Sequence, residues 1–218
     1  MLRRTNDLRG FELYATDGDI GRITEFYFDD LDWTVLYMVA DSGAWLPGRR
    51  VLVSPAALGG ETDWVERKMN LMVTRGEIEK SPEIDLHQPI TREQEVAYFA
   101  HFGWACLWSG ELRSTQEIIS SQIITMEKGS SGKIEDLVVD DLWTIRYLIA
   151  GSENSDQKEK LLFSPRWIDE IDWTESKLLT SFESAKIQFA PVYDSAGTIK
   201  REYETELYSH YDAKPYWE

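Results

Sequence analysis

The chain has 218 residues, enough for one large domain or for two domains of about 100 residues each. Apolar residues make up 42% of it, and nine tryptophans and ten tyrosines exclude an intrinsically disordered chain. Residues 1–108 carry 11 Lys/Arg and 18 Asp/Glu, a charge of −7, and residues 109–218 carry 12 and 21, a charge of −9. This shared acidity makes nucleic acid and anionic lipid unexpected as direct partners.

The cysteine count and the hydropathy pattern bear on location. Cys106 is the single cysteine of the sequence, so no intramolecular disulfide forms and nothing indicates an oxidising compartment. The first 19 residues contain no apolar run of signal-peptide length, and no stretch approaches the roughly 18 apolar residues of a membrane span. We therefore expect a cytoplasmic protein without direct membrane insertion.

Two stretches of the chain repeat the same phrase. Residues 29–41 read DDLDWTVLYMVAD, and residues 140–151 read DDLWTIRYLIAG. Aligning Gly18 with Gly129 extends the match, with two single-residue slips, until His101 meets His210. Agreement over about 100 residues indicates an internal duplication.

In chain order, each copy of the repeat consists of a series of predicted short strands. In the first copy we predict strands over residues 6–14, 23–28, 33–39, 51–53 and 69–73, with a turn at Asp17 and Gly18 after the first. The second copy has corresponding strands that include residues 161–163 and 178–182. Short strands at this spacing favour a small barrel or sandwich in each copy.

The duplicated phrase alternates with period two, which is typical of a half-buried strand. Its bulky residues share one face in both copies: Trp33, Val35, Tyr37, Val39, Trp143, Ile145, Tyr147 and Ile149. The other face carries Leu36 in one copy and Arg146 in the other, so we predict that it is the wetter face. Trp33 and Trp143 are expected to occupy equivalent buried positions.

Each copy ends in a predicted helix. Thr91 and Gln94 form a capping-box pattern at the start of the first helix. Val96, Phe99 and Ala100 then share a face at helical spacing. The second helix carries an aromatic and aliphatic stripe made of Tyr203, Leu207, Tyr208 and Tyr211.

Together these motifs resemble the PRC-barrel family. The first copy carries the resemblance in ATDGDIG, FYFDD, WTVLYMVAD, WLPGRRVLVSP, SPEID and TREQE. The second copy, closing with REYETELYSHYDAKPYWE, is similar to the second domain of bacterial tandem PRC-barrel proteins. It departs from the family pattern in two loops, MEKGSSG at residues 126–132 and GSENSDQKEK at residues 151–160.

The resemblance implies a mainly β fold with two tandem small PRC-type β-barrels, residues 1–108 and 109–218, each followed by a short α-helix. The family includes barrels of the photosynthetic reaction centre H subunit and of a ribosome maturation factor, and its known members dock onto larger assemblies. It therefore implies a non-enzymatic adaptor or scaffold that binds another protein. The alternative is a peripheral subunit or assembly factor of a membrane complex of the photosynthetic reaction-centre type.

No residue pattern predicts catalysis, a metal ion or a cofactor. Cys106 lies in an apolar stretch between the copies and has no counterpart in the second copy, so we interpret it as a buried or linker thiol. His87, His101 and His210 lack the close spacing of zinc ligands. The equivalence of His101 and His210 in the repeat favours a packing or capping role at a helix C-terminus.

Aspartates cluster around two turns of the first copy, at Asp17, Asp19, Asp29, Asp30 and Asp32. Converging turns would form a hard-cation site there, but the spacing is not that of an EF-hand loop. The second copy keeps Asp140 and Asp141 but has Lys128 in place of Asp17. We therefore attribute the cluster to carboxylates that accept local backbone hydrogen bonds in turns.

One loop of the first copy favours a binding function. Its candidate contact residues, which we call the 45–50 loop, are Trp45, Leu46, Pro47, Gly48, Arg49 and Arg50. Trp and Arg are enriched in interface hot spots, and the second copy replaces this loop with a polar one. We predict contact with a protein partner of unknown identity or with a second copy of the chain. The alternative is that Trp45 folds back and that Arg49 or Arg50 pairs with local acids.

The closing segment, YSHYDAKPYWE at residues 208–218, carries three tyrosines and a tryptophan. Such a segment either lies across its own domain or forms a sticky surface. Packing across its own domain is the interpretation that we prefer, because buried aromatic rings contribute most to a small core.

Overall fold

The computed structural model describes residues 1–43, 45–47, 49–82, 84, 90–106, 109–127, 129–151 and 159–218. Its strands are β1 (Arg3–Arg4), β2 (Glu12–Ala15), β3 (Gly18–Asp29), β4 (Val35–Asp41), β5 (Arg50–Val53), β6 (Lys68–Asn70), β7 (Leu112–Ser114), β8 (Gln122–Ile124), β9 (Ser130–Val139), β10 (Ile145–Gly151), β11 (Lys160–Phe163), β12 (Glu170–Asp172) and β13 (Lys177–Leu179). The helices are α1 (Thr5–Leu8), α2 (Arg75–Glu79), α3 (Arg92–Phe102), α4 (Thr115–Ile118), α5 (Ser184–Gln188) and α6 (Arg201–His210). Two 3-10 turns lie at Pro55–Ala57 and Pro165–Trp167.

The chain divides into two compact units, each built on one sheet. The first unit contains Thr5–Thr115 with Leu142–Thr144. The second unit contains Met1–Arg4, Gln116–Asp141 and Ile145–Glu218. Each unit therefore includes the opening strand of the other sequence repeat: β7 pairs with β3, and β1 pairs with β9. The repeat boundaries of 1–108 and 109–218 differ from these units in short segments.

The two sheets share a strand order. In the first unit the order is β5-β4-β3-β2-β6, and in the second it is β11-β10-β9-β8-β13-β12. Both contain a parallel pair at the same place, β2 with β6 and β8 with β13. Among the described residues, neither hydrogen-bonded order returns to its first strand, so the structure shows two sheets of a mainly β fold.

Strand β4 confirms the predicted buried face and corrects the other one. Val35, Tyr37 and Val39 are 2% exposed or less. Met38 on the opposite face is also fully buried, and so is its counterpart Leu148, so the predicted wetter face is wrong at these positions. The 3-10 turns that follow β5 and β11 pack against β4 and β10 and cover this face.

The two repeat tryptophans precede their strands. Trp33 has a φ of 61° and Trp143 a φ of 62°, a left-handed conformation that is strained for a bulky residue. Trp33 is buried and stacks on Phe28, with ring centroids 5.2 Å apart. Trp143 belongs to the first unit, lies 6.1 Å from Phe26 and is half-buried, so its predicted full burial is wrong.

At least three predicted strands differ from the observed elements; the one over residues 178–182 ends early, since β13 stops at Leu179. The strand predicted over residues 6–14 is wrong in its first half, where α1 forms, and β2 begins at Glu12. Asn6 and Asp7 are exposed and lack the apolar alternation of a strand, whereas Leu8 and Phe11 reach the core. The strand predicted over residues 69–73 ends early, since β6 stops at Asn70.

Helix α3 confirms its predicted start and corrects its predicted face. Thr91 and Gln94 form a reciprocal capping box. The buried residues are Glu95, Tyr98 and Phe99, whereas Val96 is 50% exposed. In α6 the predicted Leu207, Tyr208 and Tyr211 are buried and Tyr203 is half-buried. Among the described residues, we find no helix with the length and apolarity needed to cross a membrane.

Candidate docking loop and buried polar groups

The backbone of the 45–50 loop is hydrogen-bonded to a buried serine side chain. Ser42, which is 3% exposed, places its hydroxyl 2.6 Å from the carbonyl oxygens of both Leu46 and Arg49. Its one proton is shared between these two acceptors. The Arg49 N–H donates to the Leu46 carbonyl over 3.0 Å. Ala44 and Gly48 lie outside the described residues.

The side chains of the loop are partly engaged within the first unit. Trp45 is half-buried, with the Arg75 guanidinium carbon 4.9 Å from its ring centroid. Arg50 lies 3.7 Å from a carboxylate oxygen of Glu25, with 41% of the arginine side chain exposed. These contacts agree with the alternative interpretation of the loop. Trp45 packs on its own unit, and Arg50 pairs with a local acid.

The outer part of the loop stays accessible. Pro47 and Arg50 are exposed, and Leu46 and Arg49 are half-buried. The equivalent loop of the second copy lies mostly in residues 152–158, outside the described residues. Sequence reasoning missed Arg75, which lies 30 residues from Trp45 and bears no sequence signal of that contact.

The two histidines that are equivalent in the repeat have equivalent structural roles. His101 Nε2 lies 2.9 Å from the Glu77 carbonyl oxygen, and His210 Nε2 lies 2.6 Å from the Lys186 carbonyl oxygen. Each ring therefore donates to the short helix that precedes its own helix, and each packs edge-on against the aromatic residue that follows it. The packing role is confirmed. His87 lies outside the described residues.

The surroundings of Cys106 and of the aspartates explain these residues without a catalytic or metal-binding role. Cys106 is half-buried, and burial together with the charge of Glu95 raises the pKa of its thiol, which disfavours a thiolate nucleophile. Burial alone would raise the pKa of Asp29, but four backbone N–H donors together lower it. Within the described parts of the chain, no group of three or more His, Cys, Asp or Glu residues is placed to hold a metal ion.

A buried carboxyl at the same repeat position in both long helices is a feature that sequence reasoning missed. In the second unit, Glu204 accepts from the Tyr147 hydroxyl at 2.7 Å and the Tyr216 hydroxyl at 3.0 Å. It also lies 3.0 Å from an Arg201 nitrogen. A glutamate at matching positions of REQEVAYF and REYETELY was the available signal.

The equivalent carboxyl of the first unit, that of Glu95, has fewer hydrogen-bond partners than Glu204. Glu95 is 4% exposed, and its Oε1 atom has no hydrogen-bond partner among the described residues; the same is true of the Tyr37 hydroxyl. Burial raises the pKa of Glu95 to about 7; the negative charge of Asp29 adds to this rise and Arg92 opposes it. Part of the difference from Glu204 is visible in the sequence, since Tyr216, which donates to Glu204, aligns with Leu107, whose side chain offers no hydroxyl.

The aromatic closing segment packs on the second unit, as predicted. Arg146 lies over the Tyr216 ring at 4.3 Å, and Arg201 lies over the Trp217 ring at 4.0 Å. A shallow groove of about 350 Å³ on the same unit is lined by Phe189, Pro191, Glu206, Ser209 and His210. His210, which lines this groove together with Glu206, donates through Nε2 to the Lys186 carbonyl oxygen.

Comparison with known proteins does not assign the chain to a family. No protein-family model matches it. No curated protein sequence matches it either.

Proposed function

We propose that this protein is a non-enzymatic adaptor made of two tandem PRC-type barrels, and that its first unit docks onto a protein partner through the 45–50 loop. The resemblance of the sequence to the PRC-barrel family and the common strand order of the two sheets support this proposal. The buried acid groups also fit it, because Glu95 and Glu204 are only 4% and 2% exposed and lie inside the core.

The observation that carries the proposal is the fixed backbone of the loop. The Ser42 hydroxyl and the hydrogen bond from the Arg49 N–H to the Leu46 carbonyl tie the described positions of this surface loop together without a partner. A preformed loop loses less conformational entropy on binding than a flexible one. The loop also presents an apolar apex and two arginines on a strongly acidic chain.

The residues of the 45–50 loop are of the types found at the centre of protein–protein interfaces. Leu46 and Pro47 offer apolar surface, and Arg50 keeps much of its guanidinium accessible beside Glu25. Trp45 packs against Arg75, so it supports the loop and also offers apolar area for the proposed contact. Losing a central tryptophan anchor weakens binding by about 2 kcal/mol, or roughly thirtyfold.

The test is the double substitution Trp45→Ala with Arg49→Glu in the full chain. Self-association is measured by sedimentation velocity, and partner capture by cross-linking and mass spectrometry in extract of the source cells. We expect a native-like circular dichroism spectrum together with capture or self-association weakened at least about tenfold.

Trp64→Ala is the matched control. Trp64 is a 44% exposed tryptophan of the first unit that packs edge-on against Phe11, away from the loop sequence. If the control and the double variant lose association equally, the effect is a general loss of aromatic surface. If the double variant folds and associates as the parent does, the 45–50 loop is not the docking site.

A further inference from the structure

Arg75 contacts two neighbours in the first unit. Its backbone N–H donates to Asp17 Oδ1 over 2.7 Å at the start of α2. Its guanidinium carbon lies over the Trp45 ring, 4.9 Å from the centroid. The side chain also passes close to Gly18, where an added Cβ would lie 3.0 Å from Nη1 and 3.1 Å from Cδ. The side chain is therefore positioned by close packing against both Trp45 and Gly18.

The N–H groups of this guanidinium donate to none of the described residues. None of the described residues forms an ion pair with Arg75, and its Nε is buried without a hydrogen-bond partner. Arg67 provides the contrast within the same unit. It also stacks on an aromatic ring, that of Phe11 at 4.8 Å, but its Nη2 donates to the carbonyls of Asp7 and Arg9. A guanidinium carries five N–H donors, so Arg75 has capacity to bind an acceptor.

The second unit shows that the fold does not require an arginine here. In the register of the repeat, Ser184 takes the place of Arg75, and Gly129 takes the place of Gly18. The Ser184 hydroxyl lies 3.0 Å from the Thr125 hydroxyl and 3.2 Å from the Ser131 hydroxyl. This corner is therefore closed by hydroxyl groups in the second unit, whereas the first unit has both the arginine and the tryptophan on which it stacks.

We infer that the Trp45–Arg75 pair is a carboxylate-binding site that receives an acidic side chain of the docking partner. This inference rests on the proposed function and names the chemistry of the partner. A planar guanidinium fixed by stacking matches a carboxylate through two parallel hydrogen bonds. Leu46 and Pro47 at the loop apex provide apolar surface for the neighbouring part of the same partner segment.

The charge of the surroundings selects a carboxylate over a phosphate. Asp17 lies at the base of Arg75, and the whole chain has a formal net charge of −16. A dianion meets about twice the repulsion from these charges that a monoanion meets. A single carboxylate is therefore the anion that this arginine can hold at least cost.

The experiment is an NMR titration of the full chain with a capped Gly-Glu-Gly peptide, which carries one carboxylate, with capped Gly-Gln-Gly and inorganic phosphate as comparison probes. The reporters are the side-chain Nε–H signal of Arg75 and the indole N–H signal of Trp45, identified by their loss in Arg75→Gln and Trp45→Phe. We expect saturable shifts of both signals with the Gly-Glu-Gly peptide and an apparent affinity about tenfold weaker in Arg75→Gln. Arg75→Lys keeps the charge without the planar fork, and it should also bind more weakly than the parent.

Arg67 acts as the internal control, because its Nε–H signal appears in the same spectra. Equal shifts at Arg67 and Arg75, or no shift at Arg75, would overturn the inference. Stronger binding of phosphate would overturn the assigned class of ligand. The proposed function is judged separately: if the Gly-Glu-Gly peptide leaves Arg75 unshifted while Trp45→Ala with Arg49→Glu still weakens association, the docking loop stands and the carboxylate site falls.

Discussion

At the scale of the residue, the two repeats handle the same buried carboxyl differently. Glu204 has two phenolic hydroxyls and an arginine around it, whereas Glu95 has an oxygen without a described partner. A buried charge without hydrogen bonds is costly, so the group responds by holding its proton more tightly. Glu204 thus accepts from two hydroxyls, whereas Glu95 Oε1 and the Tyr37 hydroxyl, the counterpart of Tyr147, have no hydrogen-bond partner among the described residues.

Glu95→Gln should change how stability depends on pH. Because the folded pKa of Glu95 is raised from 4.5 to about 7, the folded state binds the proton more tightly than the unfolded state. The contribution of Glu95 to the free energy of unfolding is therefore greatest below pH 4.5, declines as the pH rises towards 7, and is constant above. The free energy of unfolding of Glu95→Gln minus that of the parent should therefore be about 2–3 kcal/mol larger at pH 8 than at pH 4.5.

Chemical denaturation of the parent and the variant between pH 4.5 and 8 is the measurement. Glu204→Gln is the matched control, since it removes a carboxylate that accepts two hydroxyls and pairs with Arg201. It should lower the free energy of unfolding at neutral pH by about 1–3 kcal/mol. The prediction for Glu95 fails if parent and Glu95→Gln show parallel pH profiles.

At the scale of the element, the turn after β3 shows how aspartates build local structure. Asp29 accepts from the backbone N–H groups of Leu31 and Asp32 through Oδ1 and from those of Ser109 and Gly110 through Oδ2. It therefore ties the end of β3 to the segment that leads into β7. Turn chemistry, which the sequence predicted for this cluster, is confirmed at Asp29.

Asp29→Asn should be strongly destabilising, because its amide group would face N–H donors that now point at a carboxylate oxygen. We expect a loss of about 2–4 kcal/mol in the free energy of unfolding at pH 7. Since the folded pKa of Asp29 is lowered, its contribution exists above the unfolded pKa and is lost as the pH falls, so the difference from the parent should narrow below about pH 4.

Denaturant titration at pH 7 and at pH 3.5 measures both effects. Asp32→Asn is the control: Asp32 accepts one exposed backbone N–H, that of Thr34, and an asparagine oxygen can take its place. Its cost should stay below about 1 kcal/mol. Equal costs for the two substitutions would show that Asp29 does not organise this junction.

At the scale of the whole molecule, the two compact units do not coincide with the two sequence repeats. β1 belongs to the second unit although it opens the first repeat, and β7 belongs to the first unit although it opens the second repeat. Arg3 and Arg4 pair with Val139 and Val138 at the end of β9. Each unit therefore depends on a short segment that the chain supplies from a distant position.

Deleting Met1–Arg4 should loosen the second unit locally. Hydrogen exchange should accelerate at least about tenfold at whichever of the Val138 and Val139 amides faces β1, because the deletion removes one of the two strands that flank this part of β9. The amides of Tyr37 and Val39 in the first unit, which are central to β4, should exchange as in the parent. Acceleration of equal size in both units, or at neither place, would contradict this dependence.

The sequence was sufficient for features in which a local pattern and its energetics agree. Alternation in the duplicated phrase predicted the buried face of β4, and Thr91 with Gln94 predicted the start of α3. The duplication predicted that both copies share an organisation, and the two sheets do share a strand order. In each case the residues that make the interaction lie within a few positions of one another or repeat in register.

Tertiary structure alone decided the rest, because long-range contacts outweighed local preference. The buried face of α3 includes Glu95 and excludes Val96, since the Tyr98 hydroxyl donates to the Leu52 carbonyl and sets the rotation of the helix. The exchange of β1 and β7 rests on pairing across more than 80 residues, and the stacking of Arg75 on Trp45 joins side chains that no local pattern relates. Contacts of this kind depend on which surfaces the folded chain brings together, and hydrophobic periodicity does not encode that.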